Sequence, residues 1–522
     1  MLNVLILIGF SFFCVRRTLS YLHIFQQEEY NPKRFINWLF ENHAYDKKLT
    51  AVLLLTFLIF QFTPVSYIAA FVFFIAFCAV GYLEKNPLRD AKKALIFTKR
   101  AQRIFAVSLT LTAVLTILCL TLASSLLPWI VLVQLIPFFI AAAALLLSPY
   151  ENSVNSKFRQ EAVDKLSDLN PYVIAITGSY GKTSVKHILG HILHNFAPTL
   201  ITPGSVNTEM GITRIIREQL QSQHKYFIVE MGAYGIGSIA RLCRLTPPKL
   251  SVVTAIGHAH YERFKTLEDT AKAKFEIAEA AIKNEGHVII QNSVLERKYV
   301  QSFLKEQGQF FTICGDGEAF TPENVKQSKD GLEFDFSYEG KSYSVQTPIY
   351  GLHHVDNILL SIAISLHLGM KIEDIILTLK SVPQIKHRLE VKPQGSYTLI
   401  DDAFNSNPKG FKAALELLGA LKEKDARSIL ITPGMVEMGD DHDSEHEKLG
   451  KIAADYADIA LIVQPNRIKS FVEAYKDNNG KELIQMDTFH SAQEWLNKNV
   501  KENDVVLIEN DLPDLYEQKL KI

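Results

Sequence analysis

The stretch Val173-Ile-Ala-Ile-Thr-Gly-Ser-Tyr-Gly-Lys-Thr-Ser184, running on into Val185-Lys-His-Ile-Leu-Gly-His-Ile-Leu193, leaves this chain few ways to fold. Four apolar residues leading to Thr177 and Gly178 read as a buried strand, and the apolar spacing after Ser184 has a helical period. A strand, a glycine turn and a helix start in that order make a cradle for an anion, because the N–H groups of the turn and the helix N-terminus face it. Thr177, Gly178, Ser179, Tyr180, Gly181, Lys182, Thr183 and Ser184 are the expected phosphate contacts. Lys182 is expected to reach the outer phosphates, and the Thr183 hydroxyl to sit on Mg²⁺. The match to G-x-x-x-x-G-K-[ST] is incomplete, since its first glycine falls at Ile176.

The chain's 522 residues suggest about three domains. A net charge of −1 gives no electrostatic case for nucleic acid, and five cysteines without a C-x-x-C pair point to neither a disulfide framework nor a zinc site. Hydropathy divides the chain near residue 150. Before it lie apolar runs at about 2–14, 50–63, 65–83, 104–122 and 126–148, which predict five membrane spans. The first run has no basic segment before it and no small-residue cleavage site, so it reads as a retained anchor. Arg16, Arg17, Lys33, Arg34, Lys47 and Lys48 follow the first run, and a second basic segment occupies 84–103. The positive-inside rule then puts the N-terminus outside and everything after 150 in the cytoplasm, where ATP is. No charged residue lies within the runs as drawn, so no ion or proton pathway is expected.

The remainder reads as α/β. Thr199–Thr202 is a short strand, Pro203–Gly211 a polar loop, and a helix is expected from near Ile212. Tyr226-Phe-Ile-Val-Glu230 is a buried strand ending on a carboxylate, and the tip of such a strand faces the ligand crevice of an open sheet. Glu230 is therefore a Mg²⁺ candidate. Leu250–Ile256 is a further strand with Gly257-His-Ala-His260 at its tip. Ala271-Lys-Ala-Lys-Phe-Glu-Ile277 lies on a helix whose period singles out neither lysine. Residues 318–348 alternate in short β pattern. Tyr397–Asp402, Ser428–Ile431, Ile459–Val463 and Asp504–Ile508 recur between helical patterns, as in a second, smaller doubly wound domain.

Taken in order, the glycine turn, Glu230-Met-Gly, Ile256-Gly-His-Ala-His260, Ala271-Lys-Ala-Lys, Gly351-Leu-His-His-Val-Asp-Asn357 and Asp401-Asp-Ala-Phe-Asn-Ser-Asn-Pro408 resemble the Mur ligase family, and within it the members that add D-alanyl-D-alanine. The likeness covers about 170–510. With the α-helical membrane region (1–150) read from hydropathy, it implies a P-loop central ATPase domain (151–385) and a smaller Rossmann-like C-terminal domain (386–522). It also implies an ATP- and Mg²⁺-dependent ligase that activates a carboxylate as an acyl phosphate and forms an amide. Lys182, His260 and Lys274 would be catalytic. Thr183, Glu230, His260 and Lys274 would serve the metal, Lys274 as a carbamate. Asn357, Arg388 and Asp402 would join the turn in binding nucleotide. The implied partners are a UDP- or lipid-linked peptidoglycan precursor and an amino acid or D-Ala-D-Ala, with wall-synthesis proteins in the membrane.

The likeness has departures. His354 replaces an Asn, Phe404 a Tyr, and Asn207-Thr208 an Asn-Asn pair; membrane helices stand where relatives carry a UDP-gripping domain. Other readings are a ligase on another acceptor, such as a polyglutamate-type synthetase, a nucleotide-driven transporter, and a non-catalytic scaffold. A transporter is disfavoured by uncharged spans and a single nucleotide domain, and a scaffold by Glu230, His260 and Lys274 occurring together.

Overall fold

The computed structural model describes every residue except 1, 61–65, 91–93, 123–124, 258–263, 265, 316, 318, 405, 437 and 511–522. It divides into two compact units between Ser156 and Lys157.

The first unit is helical: α1 (Leu2–Gln27), α2 (Pro32–Glu41), α3 (Lys47–Phe60), α4 (Ser66–Leu83), α5 (Lys99–Leu122) and the start of α6 (Leu127–Leu169). Its core is aromatic, with Phe10, Phe13, Phe73, Phe77 and Trp129 buried, while Leu58, Ile117 and Leu146 are exposed. A surface this apolar has no favourable solvent in water. Among the described residues, Val4–Gln27, Lys99–Leu122 and Leu127–Leu169 are long and apolar enough to cross a membrane. The 14 residues of α3 reach only about 21 Å against a hydrocarbon core of about 30 Å.

One expectation changes here. The first apolar run does not end its helix near residue 14, so Arg16 and Arg17 lie inside α1. The guanidinium of Arg17 is buried and pairs with Asp46 at 2.7 Å and Glu84 at 3.1 Å. The pairing neutralises a charge that the run had seemed to exclude.

The second unit holds three sheets. Six parallel strands, in the order β2-β3-β1-β4-β5-β6, form the first: β1 (Tyr172–Thr177), β2 (Thr199–Ile201), β3 (Tyr226–Glu230), β4 (Leu250–Val253), β5 (His287–Gln291) and β6 (Phe311–Cys314). Strands β1, β3 and β4 are largely apolar and buried because α7 (Lys182–Phe196), α8 (Glu209–Gln219), α9 (Ser238–Leu245) and α10 (Leu267–Lys283) cover the sheet on both faces. Helix α8 starts at Glu209 with Thr208 at its N-cap, earlier than the apolar period suggested. A short helix α11 (Lys298–Gln307) precedes β6.

The alternating 318–348 segment forms an antiparallel sheet of β7 (Pro322–Ser328), β8 (Gly331–Tyr338) and β9 (Lys341–Thr347), followed by α12 (His354–His367) and α13 (Ile372–Leu379). The last sheet has the order β10-β11-β15-β12-β13-β14. Its strands are β10 (Glu390–Gln394), β11 (Tyr397–Asp402), β12 (Ser428–Thr432), β13 (Ile459–Val463), β14 (Glu482–Met486) and β15 (Val505–Glu509). The edge strand β10 runs antiparallel to β11, and the other pairings are parallel. Helices α14 (Pro408–Leu421), α15 (His442–Tyr456), α16 (Lys469–Asp477) and α17 (Phe489–Asn499) complete this part.

Candidate active site

In both parallel sheets the chain leaves the strands at one end, and the chemistry collects there. Between β1 and α7 the backbone turns through Gly181, whose φ of 83° suits glycine. A side chain at this position would also collide with the Asn357 amide oxygen. Gly181 is the N-cap of α7, and no side chain caps that helix, so its first N–H groups are left for a ligand. Two expected contacts are committed elsewhere. The Thr177 hydroxyl donates to the Met231 carbonyl at 3.0 Å, and the Ser179 N–H donates to the Ala255 carbonyl at 2.7 Å. Both bonds fix the turn against its neighbours.

Lys182 and Thr183 open α7. The Lys182 ammonium folds back on the turn, donating to the carbonyls of Gly178 at 2.7 Å and Ser179 at 3.3 Å. The Thr183 hydroxyl donates to Glu230 Oε2 at 2.9 Å, so the strand-tip carboxylate does face the turn. The same oxygen receives a bond from buried Lys186 at 2.9 Å, and Oε1 receives one from the Asn207 amide at 3.3 Å. Burial alone would raise the Glu230 carboxyl. The charges of Lys186 and Lys182, with hydrogen bonds from Lys186 and Thr183, outweigh it and hold the group below its ordinary value.

Arg388 comes from the segment between α13 and β10, far away in sequence. It donates to the Thr183 hydroxyl at 3.3 Å and stacks 4.5 Å from the centre of the Phe404 ring. The Asn357 amide donates to His354 Nδ1 at 3.1 Å, so the histidine that replaces an asparagine is an acceptor in this pair. Burial, then the charges of His353 and Arg388, keep His354 well below its ordinary value and uncharged. Asp402, at the tip of β11, accepts from the Leu389 N–H at 3.2 Å.

Lys274 is buried on α10, whereas Lys272 of the same helix is exposed. Among the described residues Lys274 has no hydrogen-bond or ion-pair partner. Burial, and after it the charge of Lys182, lower its pKa well below that of an ordinary lysine. His260 lies outside the described residues. The structure thus gathers Lys182, Thr183, Glu230, Asn357 and Arg388 at one turn.

Lys186 is the member that the sequence reading missed. Its signal was its place one helical turn after Lys182, on the face that Thr183 and Glu230 share. A separate trio, His387, Glu390 and Asp401, has metal-ligand spacing. Lys392 already supplies the cation there, 3.1 Å from Glu390 and 3.0 Å from Asp401. His446 serves the fold, accepting from the Met435 N–H at 2.9 Å to hold the loop after β12.

Comparison with known proteins agrees with this geometry. Residues 176–365 match the Mur ligase middle domain and 387–509 the Mur ligase, glutamate ligase domain. UDP-N-acetylmuramoyl-tripeptide–D-alanyl-D-alanine ligase of Escherichia coli is 30% identical over 283 residues, 54% of this chain and 62% of the relative. The enzyme of the same name from Buchnera aphidicola is 29% identical over 54% of this chain and 60% of its own length. The chain thus spans about three fifths of these relatives. A crystal structure of MurF from Acinetobacter baumannii superposes with a TM-score of 0.59 at 25% identity, covering 68% of this chain and 77% of that one. MurF from Thermotoga maritima in complex with ADP gives 0.60 at 22% identity over 70% and 82%, a likeness of fold.

Proposed function

We propose, for a chain that belongs to the Mur ligase family through both its middle and its C-terminal domain, that it forms an amide bond at the expense of ATP. It converts a carboxylate of a peptidoglycan precursor to an acyl phosphate and joins an amino acid or dipeptide to it, in the first instance D-alanyl-D-alanine. The observation that carries this reading is a charge imbalance. Lys182, Lys186 and Arg388 face Glu230 at an uncapped helix N-terminus, and the second acid that acts on Arg388, Asp402, is pushed toward its neutral form by burial. A site so short of negative charge suits a polyphosphate, and donors fixed in advance act most strongly on the charge that develops during phosphoryl transfer.

The donor set also fits Mg²⁺. Glu230 and Thr183 offer a carboxylate and a hydroxyl oxygen that lie 2.9 Å apart, hard ligands of the kind Mg²⁺ takes beside phosphate. When bound, the ion would neutralise the phosphoryl oxygens. Lys274, buried and with its pKa lowered well below that of an ordinary lysine, favours the free amine, whose nitrogen would attack carbon dioxide and release a proton to give a carbamate, an oxygen ligand in place of a cation. His260 is proposed beside it.

The substrate carboxylate attacks the terminal phosphorus and ADP departs. The amine nitrogen then attacks the acyl carbon, the tetrahedral species collapses, and inorganic phosphate leaves. Lys182 and Arg388 hold the charge that builds on the phosphoryl oxygens, while Asn357 and Asp402 position the nucleoside. In this reading the middle domain is a P-loop ATPase and the C-terminal domain is Rossmann-like.

The first unit is proposed as a multi-pass membrane region, with the catalytic domains in the cytoplasm and the N-terminus outside. It stands where relatives bind the UDP-sugar, which favours a lipid-linked acceptor at the inner leaflet. The test supplies the purified full chain with UDP-linked and lipid-linked precursors and a panel of D-amino acids and dipeptides, and identifies products by mass spectrometry. ADP release that needs both acceptor and amine is expected. Equal or better turnover of the UDP-linked acceptor would sink the lipid-linked reading, and ADP release needing neither substrate would sink the ligase.

A further inference from the structure

Glu230 is held from a direction that the ligase chemistry does not require. The Lys186 side chain is 2% exposed, and its ammonium bridges Glu230 Oε2, at 2.9 Å, to the carbonyl of Gly204. Gly204 belongs to the polar loop 203–208 between β2 and α8. The same loop returns to the carboxylate through Asn207, whose amide nitrogen donates to Glu230 Oε1 at 3.3 Å. Asn207 in turn accepts from the Tyr234 hydroxyl at 3.2 Å, and its carbonyl accepts from the Gly232 N–H at 3.0 Å. Both carboxylate oxygens are therefore tied to one exposed loop, one of them through a buried ion pair.

A buried lysine is a costly device for structure alone, since an apolar side chain of equal size could fill the same space. What the ammonium adds is direction: of its three donors, one is spent on the Glu230 carboxylate and one on the loop backbone. We propose that Lys186 is a positioning residue that couples the 203–208 loop to the metal carboxylate. Metal and nucleotide at Glu230 then order the loop, and fixing the loop reciprocally tightens the metal. This rests on the reading of Glu230 as a metal ligand. It goes beyond that reading by making the order of the loop depend on what Glu230 holds. Linkage requires the effect to be equal in both directions, and couplings of this kind typically change affinity about 5- to 150-fold.

The test uses the full chain in detergent and needs no acceptor. Hydrogen exchange of the amides of residues 204–208 is measured with and without Mn²⁺ and ADP, for wild type, Lys186→Met, Lys186→Arg and Tyr234→Phe. In the wild type, Mn²⁺ with ADP should slow exchange of the loop about fivefold or more. At Mn²⁺ and ADP concentrations raised until the variant is saturated, Lys186→Met should abolish that difference, and Lys186→Arg should restore part of it. Tyr234→Phe removes one hydroxyl from a half-buried ring and should reduce the difference even if Lys186→Met does not fold. An undiminished difference in both Lys186→Met and Tyr234→Phe overturns the proposal, because a merely structural ion pair would raise exchange equally in the two states. If the wild type turns over no acceptor, the ligase reading fails while the exchange result stands.

Discussion

The second unit contains two open sheets of similar build, and they end in opposite chemistry. The sheet of β1 to β6 ends beside Lys182, Lys186 and Arg388, with Glu230 as the acid they act on. The sheet of β10 to β15 ends in Asp401, Asp402 and Glu509, carried by the neighbouring strands β11 and β15. In the first, the cations hold Glu230 below its ordinary value. In the second, burial pushes Asp402 up to about 6. It also pushes Glu509 well above its ordinary value, with the charge of Asp402 adding to the effect. The architecture places tips side by side, and the residue types at the tips decide whether the crevice attracts phosphate or takes up a proton.

The hardest blow to this contrast is Lys182→Ala. Without the ammonium that closes the turn, ADP formation should fall at least about 100-fold, as when a preorganised donor to a developing oxyanion is removed. A coupled ADP assay measures it, and near-normal turnover would break the view that the cationic tips make the site. Lys274→Ala sharpens the contrast from another side. If Lys274 serves the metal as proposed, turnover should fall about 10- to 100-fold, and acetate or formate should restore part of it by standing in for the carbamate. A loss that no small carboxylate rescues would reassign Lys274 to packing.

Much of this arrangement is legible in the sequence where local pattern and tertiary role coincide. Tyr226–Glu230 is apolar with a single terminal acid, so its strand character and the exit of Glu230 into the crevice follow from one rule. Lys186 is different. In Val185-Lys-His-Ile it looks like any polar helix position, and only the approach of β3 and the 203–208 loop turns that face inward. The two lysines of α10 cannot be separated by period, because which one is buried depends on where the helix lies against the sheet. Strand β14, Glu482-Leu-Ile-Gln-Met486, escaped notice because an edge strand with exposed positions has no continuous apolar run. The length of α1 was misjudged because Arg16 and Arg17 ended the apolar run, whereas buried acids from elsewhere in the chain let the helix continue.

The smallest expected effect tests the acidic tips alone. Ser406 donates to Glu509 Oε1 at 2.5 Å, and the pKa of Asp402 is raised from 3.8 to about 6. A carboxyl raised on folding keeps a proton that the unfolded chain has released. The stabilisation is therefore complete below the unfolded value near 4 and is lost as pH rises through about 6. For a shift of this size the whole loss is about 3 kcal/mol, which lowers a melting midpoint by several degrees. Calorimetry of the full chain at pH 5 and pH 7 should show the C-terminal transition falling in the wild type. In Glu509→Gln the fall should be smaller, because the second carboxyl that burial raises no longer titrates. A midpoint that rises with pH in the wild type would mean that both acids are held ionised, like Glu230. The two sheets would then differ in the number of their charges and no longer in how those charges are kept.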